Sequence, residues 1–224
     1  MKGLFCIVGA GDMDIEKLSV PEGAFVIAAD AGLKALQSAG IEPDLIVGDF
    51  DSLGETPQGE NVIYHKPEKD DTDMILAVRE ALDRGAKTIL IYGGLGGRLD
   101  HEYANIQTLA FIAENGARGY LFGRGCVCTV VKNGGLAFEA ELEGRISVFS
   151  QGSRAEGVDL VGLKYPLTNY TLTNDYPLGV SNEFTGVSSQ VSVKNGLLAV
   201  MWSSGTYEPQ KYREFQFSVQ NCKG

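Results

Sequence analysis

Hydrophobic positions along this chain fall into two textures. Over residues 1–125, short apolar runs alternate with stretches of helical period. LFCIVGAG (4–11), AFVIAAD (24–30), DLIVGDFDS (44–52), NVIYH (61–65) and KTILIYGG (87–94) read as strands. Near-continuous apolar runs of this length fit strands covered on both faces, as in a parallel sheet. Between them, AGLKALQSAG (31–40) reads as a helix stopped by Gly40, with Pro43 just beyond. Over 72–84, Met74, Ile75, Val78, Ala81 and Leu82 follow a 3.6-residue period, and Gly85 closes the helix. Residues 101–114 form another helix, ended by Asn115-Gly116. Strands alternating with helices predict an α/β domain built on a parallel sheet.

From residue 126 the helical period vanishes. CVCTVV, GLAFEA, RISVFS, QVSVKN and LLAVMW are short alternating runs separated by turn residues, which predicts an all-β sandwich or barrel over 126–224. Asn133-Gly134 and Asn195-Gly196, each inside a VKNG tetrapeptide, predict tight hairpins, because type I′ turns need positive φ at both centres. YREFQFSV (212–219) offers one further edge strand without an obvious partner.

Composition narrows the function. With 224 residues the chain buries a core without metal or disulfide staples. Lys and Arg number 19 against 29 Asp and Glu, a formal charge of −10, which disfavours a broadly basic nucleic-acid binder. A phosphate-bearing small molecule accompanied by a divalent cation fits such a surface better. The four cysteines include no CxxC pair and there are two histidines, so a structural zinc site is not expected. The cysteines read as reduced thiols of a cytoplasmic protein. The opening MKGLFCIVGAGDMD turns polar too soon for a signal peptide, and no segment approaches ~18 apolar residues, so no membrane partner is expected.

Three segments carry the candidate chemistry. In GDFDS (48–52), Asp49 and Asp51 follow a hydrophobic strand, where ligands of doubly wound sheets bind. Two carboxylates so close repel unless a cation lies between them, and hard oxygen ligands suit Mg²⁺; a solvated Asp-rich turn is the competing reading. In HKPEKDDTD (65–73), Asp70, Asp71 and Asp73 crowd a helix start, beside the phosphate-pairing cations Lys66 and Lys69. Capping by Thr72 or an acid accounts for part of that cluster. In GGLGGRLDH (93–101), a strand, a glycine loop and a helix follow in order, and such a loop holds phosphate on backbone N–H groups. Arg98 adds a guanidinium fork and Asp100 lies two residues on. GAGD (9–12) is an incomplete dinucleotide fingerprint, and it leaves a dinucleotide-dependent oxidoreductase open. No Ser lies in a GxSxG elbow, so covalent acyl chemistry is disfavoured.

Taken together and in order, ADAGLKAL, PDLIVGDFDSLG, KDDTD, GGLGGRLDH, GLKYPLTNYTL and SNEF resemble the thiamine pyrophosphokinase (thiamine diphosphokinase) family. The resemblance spans about positions 28–202. It implies an N-terminal Rossmann-like α/β domain and a C-terminal β-sandwich. It also implies a homodimer with active sites at the subunit interface, and transfer of the pyrophosphoryl group of ATP to the hydroxyl of thiamine, giving thiamine diphosphate and AMP. By position, Asp49, Asp51 and Asp73 match metal-binding acids, while Asp30 and Asp70 match acids of the same site. Arg98 and Asp100 match the Arg and Asp of the glycine loop, near ATP and counted among the catalytic residues, and Lys66, Lys69, Thr72 and Gly97 are read as further nucleotide contacts beside them. Ser181 and Asn182 match the segment that meets thiamine, and Phe184 an aromatic that stacks on its pyrimidine ring. A non-catalytic nucleotide- or thiamine-binding protein on the same fold is the alternative. The complete acid set together with Arg98 argues against it, because a sensor has no need of a metal cage.

Overall fold

The computed structural model describes residues 3–51, 57–66, 71–123 and 125–203, and the backbone alone over 212–216. The chain divides into two compact units, with the boundary between Thr129 and Val130. The first unit contains β1 (Leu4–Val8), β2 (Phe25–Ala29), α1 (Gly32–Ser38), β3 (Leu45–Gly48), β4 (Val62–Tyr64), α2 (Asp73–Asp83), β5 (Thr88–Tyr92), α3 (Leu99–Glu114) and β6 (Arg118–Gly123). The boundary falls inside β7 (Cys126–Lys132).

In the first unit the strand order is β7-β6-β5-β1-β2-β3-β4. From β6 to β4 every neighbouring pair is parallel, and only β7 runs antiparallel, to β6. The central strand β1 is buried along its whole length, as its unbroken apolar run predicts. α2 buries Met74, Ala77, Val78 and Ala81, one face of a 3.6-residue repeat, and Thr72 caps it by accepting from Ile75 N–H at 3.3 Å. The chain steps from β1 outward through β2, β3 and β4, then returns to β5 on the other side of β1. That reversal opens a crevice beyond the carboxyl ends of β1 and β5, the place where open α/β sheets bind ligands.

The second unit contains β8 (Gly134–Phe138), β9 (Arg145–Ser150), β10 (Arg154–Val161), β11 (Leu167–Thr173), β12 (Asn182–Glu183), β13 (Ser189–Ser192), β14 (Leu197–Ser203) and β15 (Tyr212–Gln216). Strands β12-β9-β14 are antiparallel neighbours, and β11-β10-β13-β8-β15 form a separate antiparallel sheet. The edge strand offered by YREFQFSV is β15, paired to β8. Phe138 carries the core here, with Trp202 on one ring edge at 5.4 Å and Phe184 on another at 5.3 Å between centroids.

The hairpins expected at the two Asn-Gly pairs do not form. β7 and β8 belong to different sheets, and so do β13 and β14. The positive φ of Asn133 (+48°) and Gly196 (+115°) instead lets the chain cross between sheets. The two crossings also bind each other: Asn133 N–H donates to the Gly196 carbonyl at 3.2 Å, and Gly196 N–H donates to Asn133 Oδ1 at 2.9 Å. Among the described residues no helix is long and apolar enough to cross a membrane.

Candidate active site

The acid turn is built from two parallel strand ends. β2 and β3 pair with Ala29 opposite Val47, so Asp30 and Asp49 leave the sheet at neighbouring points. Asp30 N–H donates to the Val47 carbonyl at 2.8 Å, which ties its backbone to β3. Asp30, Asp49 and Asp51 then present carboxylate oxygens that all lie within 4.8 Å of one another. Two residues of this turn hold left-handed backbones, Asp30 at φ +48° and Phe50 at φ +61°. A bulky residue at positive φ is uncommon and costs about 1–3 kcal/mol. Phe50 is held there by burial: it is 3% exposed and packs against Tyr64 at 6.2 Å between centroids. The buried ring separates a half-buried Asp49 from an exposed Asp51. Asp51 N–H donates to Asp49 Oδ1 at 3.3 Å, closing the turn.

Beside this turn, at the crevice between β1 and β5, lies a cleft of about 390 Å³. Its lining includes Gly9, Gly11, Asp30, Thr72, Asp73, Gly97, Arg98, Glu102 and Asn105. Its walls are two glycine loops packed backbone to backbone. Gly11 N–H donates to the Gly93 carbonyl at 2.8 Å, and a Cβ on Gly11 would stand 2.6 Å from that oxygen. A Cβ on Gly93 would stand 2.4 Å from the Gly9 carbonyl. Most of the glycine richness therefore serves this interlock. Gly97 is different, since a Cβ there would meet only Gly11 Cα, at 3.9 Å, so its backbone faces open space in the cleft. A larger cavity of about 620 Å³ opens beside the same loops, lined in part by Asp14, Lys17, Tyr92 and Phe122. The smaller cleft is the candidate site, because Asp30, Thr72, Asp73, Gly97 and Arg98 line it; Asp49 and Asp51 join it only through Asp30 in the acid turn, and Lys66 and Asp100 are not among its lining residues.

Arg98 stands just before α3 and grips Asp100 with two hydrogen bonds, at 2.7 and 3.2 Å. Both side chains are exposed. That guanidinium, followed by the His101 N–H, holds the Asp100 carboxyl below the usual carboxylate range. Asp100 is thereby a weaker proton acceptor than an ordinary aspartate. Lys66 is exposed just after β4. Lys69 and Asp70 lie outside the described residues. Burial pushes the Cys6 and Cys128 thiols up to about 12, so neither is a thiolate nucleophile near neutral pH.

In the second unit, Ser181 is exposed at φ +59° and its N–H donates to Ser147 Oγ at 3.0 Å. Asn182 is buried and both ends of its amide are engaged. Its Nδ2 donates to the Tyr165 carbonyl at 2.7 Å, and its Oδ1 accepts from the N–H groups of Tyr165 and Glu183 at 3.0 and 2.9 Å. Asn182 therefore staples two segments of the unit together. Phe184 is half-buried, with its ring edge on Phe138. A small cavity of about 230 Å³, lined in part by Tyr165, Leu178, Val180 and Asn182, lies beside this segment.

Known proteins share this fold. The family model for the thiamin pyrophosphokinase catalytic domain matches residues 18–121, and that for the thiamin pyrophosphokinase vitamin B1 binding domain matches residues 137–198. A thiamine pyrophosphokinase of Bacillus subtilis (strain 168) is 31% identical over 185 residues, covering 80% of this chain and 86% of that protein. The chain belongs to the thiamine pyrophosphokinase family. Solved structures of the family agree. The crystal structure of thiamine pyrophosphokinase from Bacillus subtilis superimposes with a TM-score of 0.79 at 29% identity, covering 90% of this chain and 99% of that one. The enzyme from Geobacillus thermodenitrificans gives 0.76 at 29% identity, covering 90% and 97%.

Within this family member, two cleft residues escape a reading of the sequence alone. Glu102 and Asn105 look like ordinary polar positions of α3, yet both line the cleft and both bond the glycine loop. Their spacing of three, directly after a glycine loop, is the signal that could have found them, because residues three apart share a helix face.

Proposed function

We propose that this chain is a thiamine diphosphokinase that transfers the pyrophosphoryl group of ATP to the hydroxyl of thiamine. The carrying observation is that catalytic and vitamin-binding family domains match one chain in order. The thiamine oxygen attacks the β-phosphorus of ATP, the bond from that phosphorus to the α–β bridging oxygen breaks, and AMP leaves with that oxygen. The first unit, read as Rossmann-like, binds ATP, and the second, read as a β-sandwich, binds thiamine through Ser181 and Phe184, with the buried Asn182, expected to meet thiamine itself, holding that segment in place. The working form is a cytoplasmic homodimer with active sites at the subunit interface.

The acid turn fits a hard divalent cation, because three carboxylates with oxygens within 4.8 Å of one another repel unless a positive charge joins them. Asp30, Asp49 and Asp51 would hold Mg²⁺; Asp73, the third metal-binding acid expected from the resemblance, is not part of that group and stands on the cleft wall instead. Bound there, the ion neutralises charge on the phosphate oxygens. Arg98 and Lys66 supply fixed positive charge toward the transferring group, and Gly97 lets the phosphates approach the loop backbone. Asp73 takes the thiamine proton, because it lines the cleft where the phosphates would lie, whereas the Asp100 carboxyl is held below the usual carboxylate range by Arg98.

The test is a nucleotide-product assay with purified protein, MgATP and thiamine. AMP and thiamine diphosphate are expected in equal amounts; ADP in place of AMP, or no turnover, would refute the reading. A second prediction isolates Gly97. Gly97→Ala meets no atom closer than 3.9 Å, so thermal stability should stay within about 0.5 kcal/mol of wild type. The KM for ATP should nevertheless rise several-fold, because the methyl group enters the space through which phosphate approaches. An unchanged KM would remove Gly97 from the nucleotide contacts.

A further inference from the structure

The glycine loop of the cleft is gripped from α3 by two side chains. Glu102 Oε1 accepts from Gly96 N–H at 2.8 Å, and Asn105 Nδ2 donates to the Gly94 carbonyl at 2.8 Å. Asn105 is 7% exposed, so its bond forms where water does not compete. The two residues sit three apart on one helix and engage peptide groups two residues apart in the loop. The loop is also held by the Gly11 N–H bond to the Gly93 carbonyl and by the approach of Gly96 to Asp12, where a Cβ would stand 2.8 Å from the carbonyl oxygen. The loop is thus held both by packed backbone and by two side-chain clasps. Directly after the clasped residues come Gly97 and Arg98, which face the cleft.

The choice of glutamate is informative. A carboxylate beside a triphosphate site is electrostatically unfavourable. Its presence there calls for a compensating role, and the Gly96 N–H bond provides one, since a charged acceptor makes the stronger hydrogen bond. We propose that Glu102 and Asn105 are positioning residues for ATP: they fix the loop so that Gly97 and Arg98 meet the phosphates, without touching the nucleotide themselves. This rests on the pyrophosphokinase reading and names the device that sets its nucleotide affinity.

The experiment compares wild type with Glu102→Ala, Glu102→Gln, Asn105→Ala and Asn105→Asp, measuring KM for MgATP, KM for thiamine, kcat and thermal midpoint. Both alanine variants should raise the KM for MgATP by about 10- to 100-fold and leave the KM for thiamine unchanged, as expected when a charge-assisted or buried hydrogen bond that orders the phosphate loop is lost. Glu102→Gln keeps the acceptor oxygen but makes the weaker, uncharged bond, so its KM for MgATP should fall between those of wild type and Glu102→Ala. Asn105→Asp turns an acceptor toward the Gly94 carbonyl and should behave like alanine. A lowered midpoint with unchanged KM for MgATP would make the two residues merely structural and overturn the proposal. Glutamine as impaired as alanine would also overturn it, in favour of a role for the charge. AMP formation by wild type in the same assay separates failure of this proposal from failure of the activity itself. Glu102 is only half-buried, so its variants keep the test alive if those of Asn105 do not fold.

Discussion

Asp49→Asn is expected to lower kcat by about 10²- to 10³-fold, the loss seen when one preorganised charge-stabilising group is removed from a reacting centre. The substitution is nearly isosteric. Asparagine keeps an oxygen for the Asp51 N–H, which bonds Asp49 Oδ1 at 3.3 Å, so the turn itself persists. What disappears is one of three negative charges whose oxygens lie within 4.8 Å. Relieving that repulsion leaves the thermal midpoint of the metal-free protein unchanged or slightly raised. Thiamine binding, assigned to the second unit, is largely retained. Steady-state kinetics at saturating thiamine with varied MgATP, together with a melt in chelator, reads both effects. Turnover close to wild type would dissolve the metal-binding role of the acid turn. A lowered midpoint would mean that the aspartate serves the fold instead.

How much of this was legible in sequence depends on whether the signal is local. LFCIV announces β1 because a central parallel strand is covered on both faces and carries no polar residue. Asp49 and Asp51 stand out because two acids so close after such a strand are costly. Asp30 could be read as an acid of the site, but its place beside Asp49 follows from the adjacency of β2 and β3, and strand order is a tertiary property that no short segment encodes. The strand β6 is hidden by Gly119, where a Cβ would stand 2.8 Å from side-chain atoms of both Ile112 and Leu109. The glycine that lets α3 pack on the sheet also breaks the apolar run. β10 is hidden by Gly157 at φ +65°, since register shifts near it disturb the alternation that marks a strand. The Asn-Gly pairs misled for a related reason: positive φ is a local demand, and the chain uses it to change sheets rather than to reverse within one.

Gly32→Ala is expected to destabilise the first unit far more than Gly97→Ala does. Gly32 opens α1, and a Cβ on it would lie 1.9 Å from the Val8 carbonyl oxygen, 2.5 Å from its carbon and 3.1 Å from Gly9 C. These are backbone atoms, so no side-chain rotation relieves the clash. Val8 is fully buried in β1, paired to β2 on one side and β5 on the other, so the strand cannot retreat. The helix must move instead, which gives up the packing of Leu33 and Leu36, both buried. Overpacking against a rigid wall costs about 3 kcal/mol or more. For a chain of this size that corresponds to a fall in thermal midpoint of roughly 6–12 °C. Displacing α1 also disturbs Gly9 and Asp30, which frame the cleft, so the protein that remains folded should bind MgATP more weakly. A melt of the variant beside Gly97→Ala, which adds the same methyl group in open space, separates close packing from any general intolerance of alanine. Equal midpoints for the two variants would mean that α1 does not dock on β1 as closely as described.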